Sequence, residues 1–96
     1  MSKKIVEFRG EKCRVEFAEY DNGRIAIRLV IDETGEPMAT ASSNLVDEEC
    51  GPRQTHIKDY SENSGMLEVL TAAGIVKDTG VRHWSGFCEF PLVNVM

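Results

Sequence analysis

Turn signals at regular intervals are the feature that most constrains the fold of this chain. Gly10-Glu11, Asp21-Asn22-Gly23 and Glu33-Thr34-Gly35 follow one another at intervals of about 11 or 12 residues. The runs between them are rich in Val, Ile and Phe, which favour β-strands. Short strands joined by tight turns pair antiparallel with their neighbours in sequence. The first half of the chain is therefore predicted to form a β-meander of four strands.

The length of the second turn decides which residues face each other. A two-residue loop would place Phe17 opposite Arg28 and would mix apolar with charged residues on both faces of the sheet. A three-residue loop over 21–23, with Gly23 in the left-handed conformation, places Phe17 opposite Ile27 and separates the two faces. The three-residue loop is therefore predicted.

The same reasoning sets the other two turns. A two-residue turn at Gly10-Glu11 predicts Phe8 opposite Cys13, and a three-residue loop over 33–35 predicts Leu29 opposite Ala39. These registers give the four strands one shared apolar face, formed by Val6, Phe8, Cys13, Val15, Phe17, Ile25, Ile27, Leu29, Ile31, Ala39 and Ala41.

The second half is predicted to begin with a loop and a helix. An acidic trio and a Gly-Pro pair favour a loop over 46–54, and 55–58 is typical of a short strand. Residues 59–62 are similar to a capping box that precedes an amphipathic helix. The helix is expected to end near Ala73, with Gly74 as a left-handed residue just beyond it.

The remaining residues predict a loop and a last strand. Gly80 and Gly86 bracket a polar segment, which is expected to be a loop that carries Arg82, His83 and Trp84. Residues 87–95 form the last strand, and Pro91 favours an edge position for it. The predicted fold is α+β, a single domain over 1–96. It is an antiparallel meander sheet of four to five strands with one helix packed on one face.

Composition argues against several classes of function. The chain carries 11 Lys and Arg against 16 Asp and Glu, a net charge of −5, whereas direct nucleic-acid binding needs cationic side chains. No apolar stretch approaches the roughly 20 residues of a membrane span, and the first residues lead into no secretory signal. Three cysteines without a CxxC pair fit a reducing compartment. We therefore expect a cytoplasmic protein without membrane contact and without a cofactor.

Three stretches carry a resemblance to a known family: DNGRIAIRLVIDETGEPMATASSNL, IKDYSENSGMLEVLTAAGIVKDTG and SGFCEFPLVNV. The most specific pieces are Lys58–Asn63, Gly65–Leu67 and Ser85–Phe87, while Cys50 and His83 depart from the pattern. Over nearly its whole length the chain resembles small proteins, with no assigned activity, that bacterial phages, plasmids and integrative elements encode. The resemblance implies an accessory protein of a mobile element. Such proteins often antagonise host defence, and many are compact, acidic and non-enzymatic.

Cysteine and histidine chemistry is the main enzymatic alternative. Zinc-binding residue types are present at Cys50, His56, His83 and Cys88, but their gaps lack the close pairs of structural sites. Cys88 also lies in a predicted strand, where a core role is expected. A Cys–His nucleophile pair would use Cys50, which follows three acidic residues that raise a thiol pKa. No metal site and no catalytic residue is predicted.

The outer face of the predicted sheet offers a candidate contact surface. Small residues form a row across three of its strands, at Ala18, Ala26 and Ser42. Exposed strand positions usually carry larger side chains, so the row suits the close approach of a partner or a ligand. The alternative is that the C-terminal segment covers this face. Trp84 is the second candidate, either as a lid over the core or as an interface anchor.

The first functional hypothesis is a non-enzymatic protein that binds and blocks a host defence complex, of the anti-CRISPR or anti-restriction type. A homodimer is left open. The predicted partner-binding residues are Arg14, Glu16, Arg28, Thr40, Asp47, Glu48, Glu49 and Trp84. The alternative is a sponge that sequesters a nucleotide through the Arg-bearing face or through residues 82–84. A metal-dependent or thiol enzyme is the third hypothesis.

Overall fold

The computed structural model describes residues 4–96 and contains two antiparallel sheets and one α-helix. The first sheet has the order β1-β2-β3-β4, formed by Ile5–Phe8, Glu11–Glu19, Ile25–Ile31 and Pro37–Thr40. The second has the order β5-β6-β8-β7, where β5 to β8 are Ser42–Ser43, Gln54–Ile57, Val76–Ser85 and Cys88–Val95. A short 3-10 helix, Ser61–Asn63, precedes the helix α1, Met66–Ala72. Part of the expectation about a secretory signal concerns residues 1–3, which lie outside the described range.

The α+β class is confirmed, but the single meander sheet with a helix on one face is wrong. Ala41 is where the chain leaves the first sheet: its N–H donates to the Ile27 carbonyl at 2.8 Å, and its carbonyl accepts from the Lys58 N–H at 2.8 Å. After this corner the last strand pairs with β6 and β7 instead of extending the first sheet. Among residues 4–96, no helix is long and apolar enough to cross a membrane.

The central register of the first sheet is confirmed. Phe17 pairs with Ile27 and Glu16 with Arg28, as the three-residue loop requires. Gly23 has a φ of 83°, the left-handed conformation that this loop needs and that glycine adopts without steric cost. Leu29 pairs with Ala39 as predicted, and the register then shifts by a bulge between Leu29 and Val30.

The predicted register between β1 and β2 is wrong by two residues. Arg9 and Gly10 form the turn, with φ values of 52° and 80°, so Val6 rather than Phe8 pairs with Cys13. Two left-handed residues in succession are typical of the tightest hairpin turns. Because the error is an even number of residues, Val6 and Phe8 still face the core.

The predicted capping box is wrong. The Glu62 side chain accepts a hydrogen bond from Lys58 at 2.8 Å, which lowers the pKa of Glu62 to about 2. Asp59 instead accepts from the Leu67 N–H at 3.1 Å and so caps α1 from eight residues away. The helix end is confirmed, since Gly74 is left-handed at a φ of 73° just after the helix.

The polar loop predicted between Gly80 and Gly86 is a strand. His83 pairs with Phe90 and Trp84 with Glu89 within the β7–β8 hairpin. Exposed and half-buried residues follow one another in pairs along this edge strand, so the strict alternation that marks a strand in the sequence is absent. The predicted edge position of Pro91 is also wrong, because β8 lies between β6 and β7. Proline is tolerated there since the β6 pairing runs only over residues 92–94 of β8.

Both sheets and the helix share one hydrophobic core. Its buried members are Val6, Phe8, Cys13, Val15, Ile27, Leu29, Ala41, Ile57, Met66, Leu70, Ile75, Val76, Val93 and Val95. The helix contacts β1 and β7, the two strands at the edges of the two sheets, and thus closes the gap between those edges. Burial of apolar surface from both sheets in one core is the main force that holds them together.

Candidate functional site

The outer face of the first sheet brings together four predicted contact residues. Glu16 is paired with both arginines, at 3.8 Å from Arg14 and 3.4 Å from Arg28. Thr40 is the strand partner of Arg28, and Arg14 also lies 3.5 Å from Asp32. The charges on this face therefore largely neutralise one another, which leaves little unpaired charge for a partner.

This face is open at Arg28, whose side chain is 57% exposed, and the C-terminal segment lies in the other sheet. The predicted row of small residues is broken, however, because Ser42 is buried. Its hydroxyl accepts from the Ile27 N–H at 2.9 Å and is 2.8 Å from the Tyr20 hydroxyl. Ser42 therefore has a structural role in the junction between the two sheets.

Residues 45–51, here called the acidic loop, lie beside the second sheet. Arg24 anchors the loop by donating to the carbonyls of Leu45, at 2.6 Å, and Glu48, at 2.8 Å. At the other end, the Gly51 N–H donates to the Gln54 side chain at 2.8 Å. The prediction of a loop in this region is confirmed, except that Gln54 begins β6.

Two histidines connect the second sheet to the acidic loop. Nε2 of His56 and Nδ1 of His83 are 2.8 Å apart, and Nε2 of His83 is 3.7 Å from a Glu48 carboxylate oxygen. His56 is buried, and burial is the main cause that lowers its pKa, followed by the charges of His83 and Arg24. The two histidines are 27 residues apart in the sequence, and the pairing of β6 and β7 with opposite edges of β8 brings them together.

The tip of the β7–β8 hairpin carries two exposed aromatic side chains. Trp84 is 60% exposed and Phe87, in the turn, is fully exposed. Trp84 also lines a shallow cavity of about 240 Å³ together with residues 43–48, so the tip adjoins the acidic loop. This exposure argues against a role for Trp84 as a lid over the core, and its role as an interface anchor stays a prediction. We call Val46, Asp47, Glu48, Glu49, Trp84 and Phe87 the tip surface.

Phe87 was not among the predicted contact residues. The signal in the sequence is the preceding glycine, because glycine is the preferred first residue of one type of two-residue hairpin turn. In the structure, Gly86 has a φ of 63° in the turn between Ser85 and Cys88. Phe87 is fully exposed in this turn and does not belong to the core.

The cysteine and histidine set does not form the zinc site considered above. Within residues 4–96, no three His, Cys, Asp or Glu side chains are placed to hold a metal ion. Cys88 begins β8, where it is paired with Ser85 of β7. Burial raises the pKa of the Cys50 thiol, and Arg24 offsets this only in part. A protonated thiol is a poor nucleophile, so the arrangement argues against thiol catalysis at Cys50.

The chain matches no protein-family model, no curated protein and no solved structure. The resemblance to proteins of mobile elements therefore stays a prediction.

Proposed function

We propose that the protein is a non-enzymatic accessory protein of a phage or mobile element that blocks a host defence complex by occupying its surface. The exposure of Trp84 and Phe87 at one hairpin tip is the observation that carries the binding role. Exposed aromatic rings gain free energy when a partner removes them from water. Tryptophan in particular is enriched among residues that dominate the energy of protein interfaces.

Charge defines the kind of partner that fits the tip surface. Asp47 and Glu48 line the same cavity as Trp84, Glu49 follows them in the acidic loop, and the whole chain has a net charge of −5. A partner with an apolar pocket and a rim of lysine and arginine would be complementary. Defence complexes that handle nucleic acid carry such basic surfaces, because they must neutralise phosphates. The mobile-element origin is supported by the sequence resemblance alone.

The outer face of the first sheet has a secondary place in this proposal. Arg14, Glu16 and Arg28 are paired with one another, so a partner would have to compete with existing contacts. The nucleotide sponge is less well supported for a similar reason. Arg82 is paired with Asp78 at 2.8 Å and with Glu89 at 3.5 Å, which leaves its guanidinium little capacity for a phosphate.

Affinity capture from bacterial lysate tests the proposal. A tagged wild-type chain is compared with the double variant Trp84→Ala/Phe87→Ala, and with Met96→Ala as a control. Met96 is 67% exposed and lines a different groove, beside Phe17 and Val95. Loss of two aromatic anchors is expected to reduce recovery of the partner at least about tenfold, since hot-spot residues each contribute about 2 kcal/mol or more. The control should recover the partner like the wild type.

A charge series tests the second element of the contact. Asp47→Asn/Glu49→Gln is compared with Glu33→Gln/Glu36→Gln, two exposed acidic residues in the loop before β4. Only Asp47→Asn/Glu49→Gln should slow association with the captured partner, and this effect should become smaller at high salt. A partner that binds both tip variants as well as the wild type would contradict the tip surface. A nucleotide released from the purified chain, with no protein partner, would favour the sponge instead.

A further inference from the structure

His56, His83 and Glu48 form a row that runs from a buried strand to the acidic loop. His56 is 1% exposed, whereas the side chains of His83 and Glu48 are 20% and 37% exposed. At 2.8 Å the facing nitrogens of the two rings hold one proton between them. If both rings were imidazolium, Nε2 of His56 and Nδ1 of His83 would each carry a hydrogen, and the two N–H groups would repel each other across 2.8 Å. The pair therefore accepts at most one proton beyond its neutral state.

Glu48 decides how the neutral pair is arranged. Its carboxylate lies 3.7 Å from Nε2 of His83. Because a carboxylate attracts an N–H and repels a lone pair, the neutral ring of His83 carries its hydrogen on Nε2. Nδ1 of His83 is then the acceptor, and His56 donates its Nε2–H to it. The orientation of the inner hydrogen bond is thus set by a residue of the acidic loop.

The charge of an added proton settles on His83. Burial and the nearby Arg24 guanidinium disfavour a charge on His56, and both lower the pKa of His56. His83 is half-buried, and its Nε2 faces a Glu48 carboxylate oxygen at 3.7 Å. In the protonated pair, His83 donates Nδ1–H to His56 and presents a full positive charge to Glu48.

We propose that His56, His83 and Glu48 form a proton-operated clasp that holds the acidic loop against β7 when the pair is protonated and loosens it when the pair is neutral. The other ionisable groups around the clasp do not substitute for Glu48. Glu49 and Cys50 line the cavity beside His83 but make no ion pair with it among the described residues. Arg24 binds loop carbonyls, and Arg82 and Glu89 pair with each other on β7 and β8.

The clasp would regulate the tip surface, and this consequence rests on the proposed function. A protonated His83 neutralises Glu48 and competes with a lysine or arginine of the partner. Binding of a basic partner is therefore expected to weaken as the pH falls across the range in which imidazoles titrate. The clasp itself depends only on the geometry of the free chain.

Tryptophan fluorescence of the free chain tests the clasp without any partner. Trp84 is the single tryptophan and lines a cavity with residues 43–48, so its emission reports the position of the loop. We expect the emission maximum to move to longer wavelength between pH 5.5 and pH 8, as the loop loosens and Trp84 meets more water. Amide hydrogen exchange at Glu48, whose N–H donates to the Leu45 carbonyl, should lose protection over the same range.

Three variants separate the clasp from other causes. Both pH responses should vanish in Glu48→Gln and His83→Gln and should persist in Glu49→Gln, the matched control. Glu48→Gln keeps both imidazole rings and removes only the carboxylate, so a pH response that survives in it does not come from the clasp and overturns it. The clasp is also overturned if the wild-type chain shows neither pH response. Because no partner is present, failure here leaves the capture result intact, and failure of capture leaves the clasp intact.

Discussion

Single buried polar residues have the most specific roles in this protein, and His56 is the clearest case. It is almost completely buried, yet its ring nitrogen has a partner in His83 at 2.8 Å. Burial of a neutral, hydrogen-bonded imidazole costs little, whereas burial of its charged form costs a great deal. The lowered pKa of His56 expresses this difference and links the stability of the fold to pH.

Acidification from pH 7.5 to pH 5.5 is expected to destabilise the protein. The pKa of His56 is lowered in the folded state from its ordinary value of 6.5, so the unfolded chain binds more protons below that value. The free energy of unfolding should fall by up to about 1.4 kcal/mol per pH unit for each proton of difference. Urea unfolding at pH 7.5, 6.5 and 5.5 measures the slope.

The variant His56→Gln keeps a polar group near the position of Nε2 and removes the titration. It should flatten the pH dependence while lowering the stability at pH 7.5, because the histidine pair is lost. An unchanged slope in His56→Gln would assign the acid sensitivity to another group.

At the scale of elements, the shortest strand makes the connection between the two sheets. β5 consists of Ser42 and Ser43, paired with Ile57 and His56 of β6. The Ser42 hydroxyl accepts from the Ile27 N–H of β3, so this strand is bonded to both sheets. Ser42 is 3% exposed, so its hydroxyl is buried together with the Ile27 N–H from which it accepts a hydrogen bond.

Ser42→Ala is expected to lower the free energy of unfolding by about 1–3 kcal/mol, since the buried Ile27 N–H loses its acceptor. Ser43→Ala is the matched control, because Ser43 is only half-buried, and its effect should stay within about 0.5 kcal/mol. Thermal or urea unfolding of both variants provides the comparison. Equal effects of the two substitutions would remove the special role of Ser42.

On the scale of the whole molecule, the shared core predicts one cooperative unfolding transition. Leu70 of α1 is fully buried and belongs to the same cluster as Leu29 of the first sheet and Val93 of the second. A small chain with a single core usually unfolds in two states. Trp84 fluorescence, which reports on the second sheet, and far-UV circular dichroism, which reports on both, should therefore give the same midpoint.

Leu70→Ala should lower that common midpoint in both measurements and cost about 2–5 kcal/mol. Thr71→Ala, at the next position of the same helix, is the control. Thr71 is exposed, and its hydroxyl donates only to the Leu67 carbonyl within the same helix. If Trp84 reported an earlier transition than circular dichroism, the two sheets would unfold as separate units.

The parts of the candidate site differ in how far the sequence predicts them. Trp84 is a candidate that the sequence predicts, because a lone tryptophan in a predicted loop is either a lid over the core or an interface anchor. The histidine pair could not be found in this way, because a contact between β6 and β7 depends on a sheet order that local patterns do not contain. Phe87 was missed since one aromatic residue next to a glycine fits a strand end as well as a turn.

The sequence by itself determined the strands of the first sheet, the register at Phe17 and Ile27, and the end of the helix at Gly74. These features follow from local rules, because turn length and side-chain alternation act over a few residues. Tertiary structure alone decided that the last strands build a second sheet and that Ser42 is buried at the corner. Such choices depend on burial of apolar surface between elements far apart in sequence, which no local pattern encodes.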